Sequence, residues 1–208
     1  SLIHAILSIE DRSFYSHKGI DPLAIMRAMV TNVRHGEVVQ GGSTITQQLA
    51  KNLFLTHDRT INRKIREVVA ALWLERNFTK DEILEAYTNN VYMGSNIYGM
   101  PAAANYYFDK NIQELTLREA AILAGMLKAP SRYAPTSNKK LSEKRADIVI
   151  RAMHDAGYIT DTELNAPSNT VTLALPAKEN VAIQKITDNQ RYFTDYAVAQ
   201  AKRKSPSM

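Results

Sequence analysis

Apolar positions recur along this chain with mostly helical spacing. Leu2, Ile3, Ile6, Leu7 and Ile9 give the opening turns one apolar face. Asp21-Pro22 sets an N-cap before a first-turn proline and predicts a helix to about residue 34. Gly41-Gly42 interrupts the chain, and Ser43 or Thr44 can cap a helix running to about residue 54. A longer helix is predicted over 60–77, with Val68, Val69, Leu72 and Trp73 as its core stripe. Thr79-x-x-Glu82, Thr116-x-x-Glu119 and Thr160-x-x-Glu163 are capping boxes, each opening a helix. The apolar run 120–127 reads as a buried helix that Pro130 and Pro135 end. A further helix over 139–156 closes on Gly157. Alternation over 170–175 gives the only strand candidate, and 190–203 returns to helix. The fold class is mainly α. Texture changes near 157–166, so 1–166 reads as one domain and 167–208 as a linker or the start of a truncated following domain.

Composition narrows the class. Of 208 residues, 45% are hydrophobic and 23% charged, which excludes disordered and fibrous chains. The longest apolar run falls far short of the roughly 20 residues of a membrane span, so neither a transmembrane helix nor a signal peptide is expected. Net charge is 26 − 21 = +5 and favours anionic partners. The basic residues are spread and balanced by acids, which argues against nucleic acid. The absence of cysteine excludes disulfides, thiolate catalysis and zinc ribbons. The chain opens at Ser1 inside a helical pattern and reads as a piece of a longer protein.

Several segments carry residues suited to chemistry. Glu10-Asp11 ends an apolar helix beside Phe14 and His17; a carboxylate there is either solvated or desolvated enough to act as a base. In the stretch 41–52, glycines allow close backbone approach, and a helix N-terminus offers N–H groups to phosphate. Gln48, Lys51 and Asn52 share one face of that helix. Arg63 and Glu67 are i,i+4 neighbours that pair on a helix surface, unless Arg63 and Lys64 instead clamp a diphosphate. Lys80-x-x-Ile83-Leu84-x-x-Tyr87-x-Asn89 reads mostly as a packed helix. Lys128, after the buried run, either caps a helix dipole or points into a cleft. Ser137-x-x-Lys140 has the acylating-serine spacing, but no K-T-G accompanies it.

Taken in order, these segments resemble the peptidoglycan glycosyltransferases of family 51. The match runs through Glu10-Asp11-x-x-Phe14-x-x-His17-x-Gly19 and Gly42-Ser43-Thr44-x-Thr46-Gln47-Gln48. It continues through Arg63-Lys64-x-x-Glu67 and the Lys80 segment, and covers about 2–159. The fifth motif departs, reading Lys144-Arg145-Ala146-Asp147-Ile148-Val149 where paired arginines are usual. The resemblance implies a lysozyme-like fold with a large helical lobe and a small membrane-facing lobe. It implies polymerisation of lipid II onto a lipid-linked glycan with inversion, forming β-1,4 bonds and releasing undecaprenyl pyrophosphate. Glu10 would be the general base, with Asp11, Phe14 and His17 shaping its surroundings. Ser43, Thr44, Gln48, Lys51, Asn52, Arg63 and Lys64 would bind the donor. Glu67 would orient those cations or a divalent metal (Mg or Mn), and Lys128 would meet the acceptor pyrophosphate. No organic cofactor is implied. A transpeptidase domain and a membrane anchor would complete the full-length protein, at the outer face of the cytoplasmic membrane in the bacterial cell envelope. A moenomycin-type phosphoglycolipid is the expected inhibitor.

Two further expectations stand. The segment 18–40 carries Leu23, Ile25, Met26, Met29, Val30 and Val33 beside Lys18, Arg27 and Arg34. It is either a core helix or a mobile membrane-facing element that meets the membrane surface. The alternative enzyme is a lysozyme-like cell-wall hydrolase, which needs a carboxylic acid but no cation cluster.

Overall fold

The computed structural model describes residues 1–35, 41–55, 60–166 and 173. Ten α-helices occur in this order among the described residues: α1 Leu2–Glu10, α2 Pro22–His35, α3 Ile45–Phe54, α4 Ile61–Asn77, α5 Lys80–Asn90, α6 Met100–Phe108, α7 Leu117–Met126, α8 Pro130–Tyr133, α9 Lys139–Asp155 and α10 Asp161–Leu164. No strand occurs there; a single antiparallel bridge joins Tyr92 and Tyr98. The mainly α reading holds. The strand expected over 170–175 lies outside the described residues apart from Leu173, and the helix over 190–203 lies wholly outside them.

The local grammar of the sequence accounts for most helix starts. Asp21 accepts the Ala24 amide at 2.9 Å and so caps α2. Burial pushes the Asp21 carboxyl upward, but hydrogen bonds from Ser13 and Ala24 and the charge of Arg27 outweigh it and hold the pKa below the usual range. Thr44 caps α3 in a reciprocal box with Gln47. Thr116 with Glu119 opens α7 and Thr160 with Glu163 opens α10 in the same way. At α5 the Glu82 carboxylate accepts from the Thr79 amide at 2.7 Å. Such caps contribute about 1 kcal/mol each. Pro130 does more than end a helix, since it opens the short α8.

The described residues fall into two compact units. The first comprises 1–12 and the described residues from 89 onward. Its centre is α7, where every residue from Glu119 to Met126 is buried. A helix apolar on all sides must be surrounded, and α1 and α9 both pack on α7 and on each other. The buried Glu119 is matched by Lys110, whose ammonium lies 2.8 Å from one carboxylate oxygen. The second unit holds 13–88 of the described residues. Its α3 and α4 pack through Ile45, Leu49 and Ala50 on one side and Ala70, Ala71 and Leu74 on the other.

The expected stripe of α4 is corrected here. Val69 and Leu72 are exposed, while Val68 and Trp73 are half-buried. The buried face is Glu67, Ala70, Ala71 and Leu74. Small alanines allow close packing against α3, and the helix turns its bulkier aliphatic residues outward.

Candidate active site

The candidate residues divide between the two units. Glu10, Asp11 and Lys128 belong to the first; Phe14, His17, 43–52 and 63–67 belong to the second. In the first unit Glu10 is the last residue of α1 and is half-buried. Asp11 follows as the buried C-cap, its amide donating to the Leu7 carbonyl at 3.1 Å. Lys128 is exposed, one residue beyond the C-cap of α7.

In the second unit a charged cluster forms where α4 begins. Thr60 caps the helix, so Arg63, Lys64 and Glu67 lie on successive turns of one face. Glu67 is only 3% exposed. One of its oxygens meets the Arg63 guanidinium at 2.9 Å, and the other meets the Lys64 ammonium. Lys64 also donates to the Ser43 hydroxyl at 2.9 Å. A single buried carboxylate thus anchors two cations, and one of them reaches the loop before α3. The expected i,i+4 pair of Arg63 with Glu67 forms, but on a buried carboxylate and not on an exposed helix surface.

This donor set does not fit a divalent ion held by protein ligands. Both Glu67 oxygens face cationic nitrogens, and no group of three or more His, Asp or Glu side chains able to hold a metal occurs among the described residues.

The remaining candidates sort by burial. Lys51 and Asn52 are exposed on α3, and Gln48 is half-buried, its carbonyl accepting from the Tyr87 hydroxyl at 3.1 Å. Thr44 is buried with both hydroxyl functions used: it accepts from the Gln47 amide and donates to the Gly19 carbonyl at 2.7 Å. His17 accepts the Gly19 amide on Nδ1 at 3.1 Å, and its ring meets the buried Phe14 edge-on. Thr44 therefore ties the 13–19 segment to the start of α3, while Phe14 and His17 brace that segment from within. The glycine at 42 serves the chain itself: a Cβ there would come within 3.0 Å of the Ile25 backbone on α2.

Sequence reading missed Glu75. It accepts from Thr46 at 2.6 Å and pairs with Lys80 at 2.7 Å, while Lys80 also lies 4.5 Å over the Phe14 ring. This network ties α3, α4, α5 and the 13–19 segment together. No periodicity signals it, because its members are distant in sequence. The Lys80 position of the fourth motif carried the only trace.

Comparison with known proteins places the chain. Residues 1–154 match the Transglycosylase family model. The chain is 44% identical over 201 residues to penicillin-binding protein 1A of Aquifex aeolicus, covering 97% of this chain and 26% of that protein. It is 47% identical over 159 residues to penicillin-binding protein 1F of Bacillus subtilis, covering 76% of this chain and 22% of that protein. A crystal structure of penicillin-binding protein 1A from Haemophilus influenzae aligns at 30% identity with a TM-score of 0.45, covering 76% of this chain and 20% of that one. The chain spans about a quarter of the length of the curated relatives it matches. With the family match running over residues 1–154 of 208, and the family's polar motifs on the helices just described, the chain belongs to the transglycosylase family.

Proposed function

We propose that this chain is a peptidoglycan glycosyltransferase, joining lipid II to a lipid-linked glycan through β-1,4 bonds. The observation that carries the reading is the Arg63–Glu67–Lys64 cluster, in a chain of the transglycosylase family. The 4-hydroxyl of the acceptor GlcNAc attacks the anomeric carbon of the donor MurNAc. The C–O bond to pyrophosphate breaks, and the configuration inverts. Glu10 accepts the hydroxyl proton. The departing pyrophosphate gathers negative charge and needs cations more than an acid, a need that Arg63, Lys64 and Lys51 meet. Arg63 offers a planar fork to phosphate oxygens and Lys64 a point charge. Ser43, Gln48 and Asn52 add neutral donors, while Asp11, Phe14, His17 and Thr44 hold the surroundings in shape. Lys128 takes the acceptor pyrophosphate. The hydrolase alternative gains no support, because hydrolysis has no pyrophosphate to neutralise. Incubated with lipid II in detergent, the protein should yield glycan polymer; shortened sugars from purified sacculi in its place would overturn the reading.

The substrate lipid also assigns a location, the membrane surface of the cell envelope. No helix among the described residues is long and apolar enough to cross a membrane. Yet α2 exposes Leu23, Met26, Met29 and Val33, the last by 82%. On α4, Ile61 is 82% exposed and Ile65 57%, and the same ridge continues through Val69 and Leu72. Two exposed apolar ridges in one unit suit shallow insertion among lipid headgroups. The core reading of α2 loses ground, since core side chains do not stand so far out. Met26→Ser with Met29→Ser should weaken partition onto anionic vesicles by roughly tenfold. The melting temperature should be unchanged; an unfolded double variant, or unaltered vesicle binding, would return α2 to a structural role.

A further inference from the structure

We propose that Tyr92 and Tyr98 form a sugar-binding platform, an exposed aromatic pair that stacks on an N-acetylated pyranose ring of the acceptor saccharide. The choice of the acceptor rests on the reading of Lys128 given above; the sugar chemistry rests on the pair itself. Every residue involved belongs to the first unit. The segment 92–98 follows Asn89, where the fourth motif ends, and lies outside the motifs that carry the resemblance.

The pair stands on a small, tightly built hairpin. Tyr92 and Tyr98 are opposite each other in the antiparallel bridge, so both side chains leave on the same face. The Met93 amide donates to the Ile97 carbonyl at 2.8 Å, and the Gly99 amide donates to the Val91 carbonyl at 2.8 Å. At the tip, Ser95 and Asn96 take φ of 48° and 59°, a left-handed run that non-glycine residues rarely hold. Such backbone persists only where its surroundings over-determine it. Here the buried Tyr107 donates its hydroxyl to the Met93 carbonyl at 3.0 Å. At Gly99 a Cβ would come within 2.6 Å of the Asn89 carbonyl oxygen, so the base of the hairpin is seated on the end of α5.

The side chains divide by face. Val91, Met93 and Ile97 are buried, while Tyr92, Ser95, Asn96 and Tyr98 are exposed, Tyr98 by 59%. The two exposed rings lie 5.2 Å apart between centres, tilted by 53°. A hairpin already pinned by Met93, Ile97 and Tyr107 gains little more from an outward aromatic pair. The exposed set offers two aromatic faces, a hydroxyl and an amide, and no charge. That chemistry selects a neutral ligand with one apolar face and a polar rim. A pyranose ring is such a ligand: its axial C–H groups cover an aromatic face, and its hydroxyl and acetamido groups reach the Asn96 amide. A phosphate or a carboxylate would find no cation in this set. Tyrosine also loses little freedom when a ligand orders it.

The position of the hairpin names the sugar. A Cβ at Gly94 would lie 3.5 Å from the Pro130 carbonyl carbon, so the turn rests on the start of α8. Pro130 comes two residues after Lys128. In lipid II the saccharide is joined directly to the pyrophosphate, so a ring held beside the Lys128 turn belongs to the acceptor disaccharide.

Two measurements test this. A tetrasaccharide of β-1,4-linked N-acetylglucosamine would be titrated into the chain carrying carbon-13 tyrosine rings, followed by NMR. It needs neither lipid nor turnover. The Tyr92 and Tyr98 ring signals, assigned through Tyr→Phe variants, should shift together and saturate. In lipid II polymerisation, Tyr92→Ala with Tyr98→Ala should raise KM by about tenfold and leave kcat near its original value. Phenylalanine at both positions should keep the original KM, because the flat faces survive. Leucine at both should behave like alanine, whereas a purely structural apolar contact would be restored by it. An unmodified protein that makes no glycan would sink the glycosyltransferase reading, and the tetrasaccharide titration would still decide on the platform. Silent Tyr92 and Tyr98 rings at millimolar sugar overturn the proposal, as does an unaltered KM in the folded alanine variant. Should that variant fail to fold, an original KM in the leucine variant overturns it equally. Silent rings together with weakened partition of the variants onto anionic vesicles would assign the pair to lipid instead, and the proposal would fall.

Discussion

Glu10→Gln should reduce glycan synthesis from lipid II by about 10²–10⁴-fold, the usual contribution of a positioned general base. An amide of the same shape cannot accept the hydroxyl proton, so the acceptor oxygen remains a weak nucleophile. The cation cluster and the binding residues are untouched, so donor affinity should persist. The fold should persist as well. Glu10 closes α1 from a half-buried position, and the core of that helix is Leu2, Ala5, Ile6 and Leu7. Rates would be read from polymer formation in detergent, with thermal melts and moenomycin-induced stabilisation as controls for fold and donor site. A folded Glu10→Gln protein that polymerises at the original rate would move the base elsewhere in the chain. It would not move to Glu67 without cost, because both Glu67 oxygens already hold cations.

The legibility of this chain varied with the range of the interactions involved. Caps are local, so Thr44, Thr116 and Thr160 announced helix starts that the structure reproduces with reciprocal hydrogen bonds. The apolar run 120–127 announced the central helix because a segment without a polar face has no place at a surface. Helix α6 went unread: its Ala102, Ala103 and Ala104 give little periodic contrast, and its N-cap is Gly99 rather than a hydroxyl residue. The face of α4 was misread for a physical reason. Aliphatic residues were assigned inward, but here alanines and a paired carboxylate face α3, and Ile61, Ile65, Val69 and Leu72 face outward. Under the proposed membrane-facing role, these exposed residues serve a lipid surface and so depart from the rule that apolar residues mark the core. The polar motifs were legible through resemblance, which implied roles for their residues but not how deeply each side chain is enclosed. Burial adds an observation of its own: Thr44 and Phe14 are enclosed, while Lys51 and Asn52 stand open. The partners of Glu75 depend on contacts between distant segments, and one-dimensional periodicity carries no trace of them.

Glu67→Gln should depress polymerisation by about 10²–10³-fold, the range seen when one element of a preorganised electrostatic site is lost. Glu67 need not touch substrate for this loss. Its carboxylate holds the Arg63 guanidinium at 2.9 Å and the Lys64 ammonium, and Lys64 in turn donates to Ser43. A glutamine keeps the volume but offers one acceptor and an amide donor, so one cation meets an N–H group and swings away. Breaking a fully buried pair costs about 3–5 kcal/mol, but the Lys64 side chain is 45% exposed and solvent recovers part of that. A stability loss of about 1–2 kcal/mol, or roughly 2–8 °C in a chain of this size, is therefore expected. That loss leaves the protein folded at 25 °C, so the larger fall in rate reports the loosened cations. Arg63→Met and Lys64→Met should each lose activity with a smaller thermal penalty, because each removes a charge from the clamp and leaves Glu67 its other partner. On the proposed donor-site reading, a moenomycin-type phosphoglycolipid would offer its own phosphate to these cations, so its stabilisation should shrink in all three variants. Full turnover in Glu67→Gln, together with an undiminished inhibitor shift, would show that the cations hold their places without the carboxylate. The buried pair would then be a piece of scaffold, and the pyrophosphate would have to be neutralised by Lys51 and groups beyond this cluster.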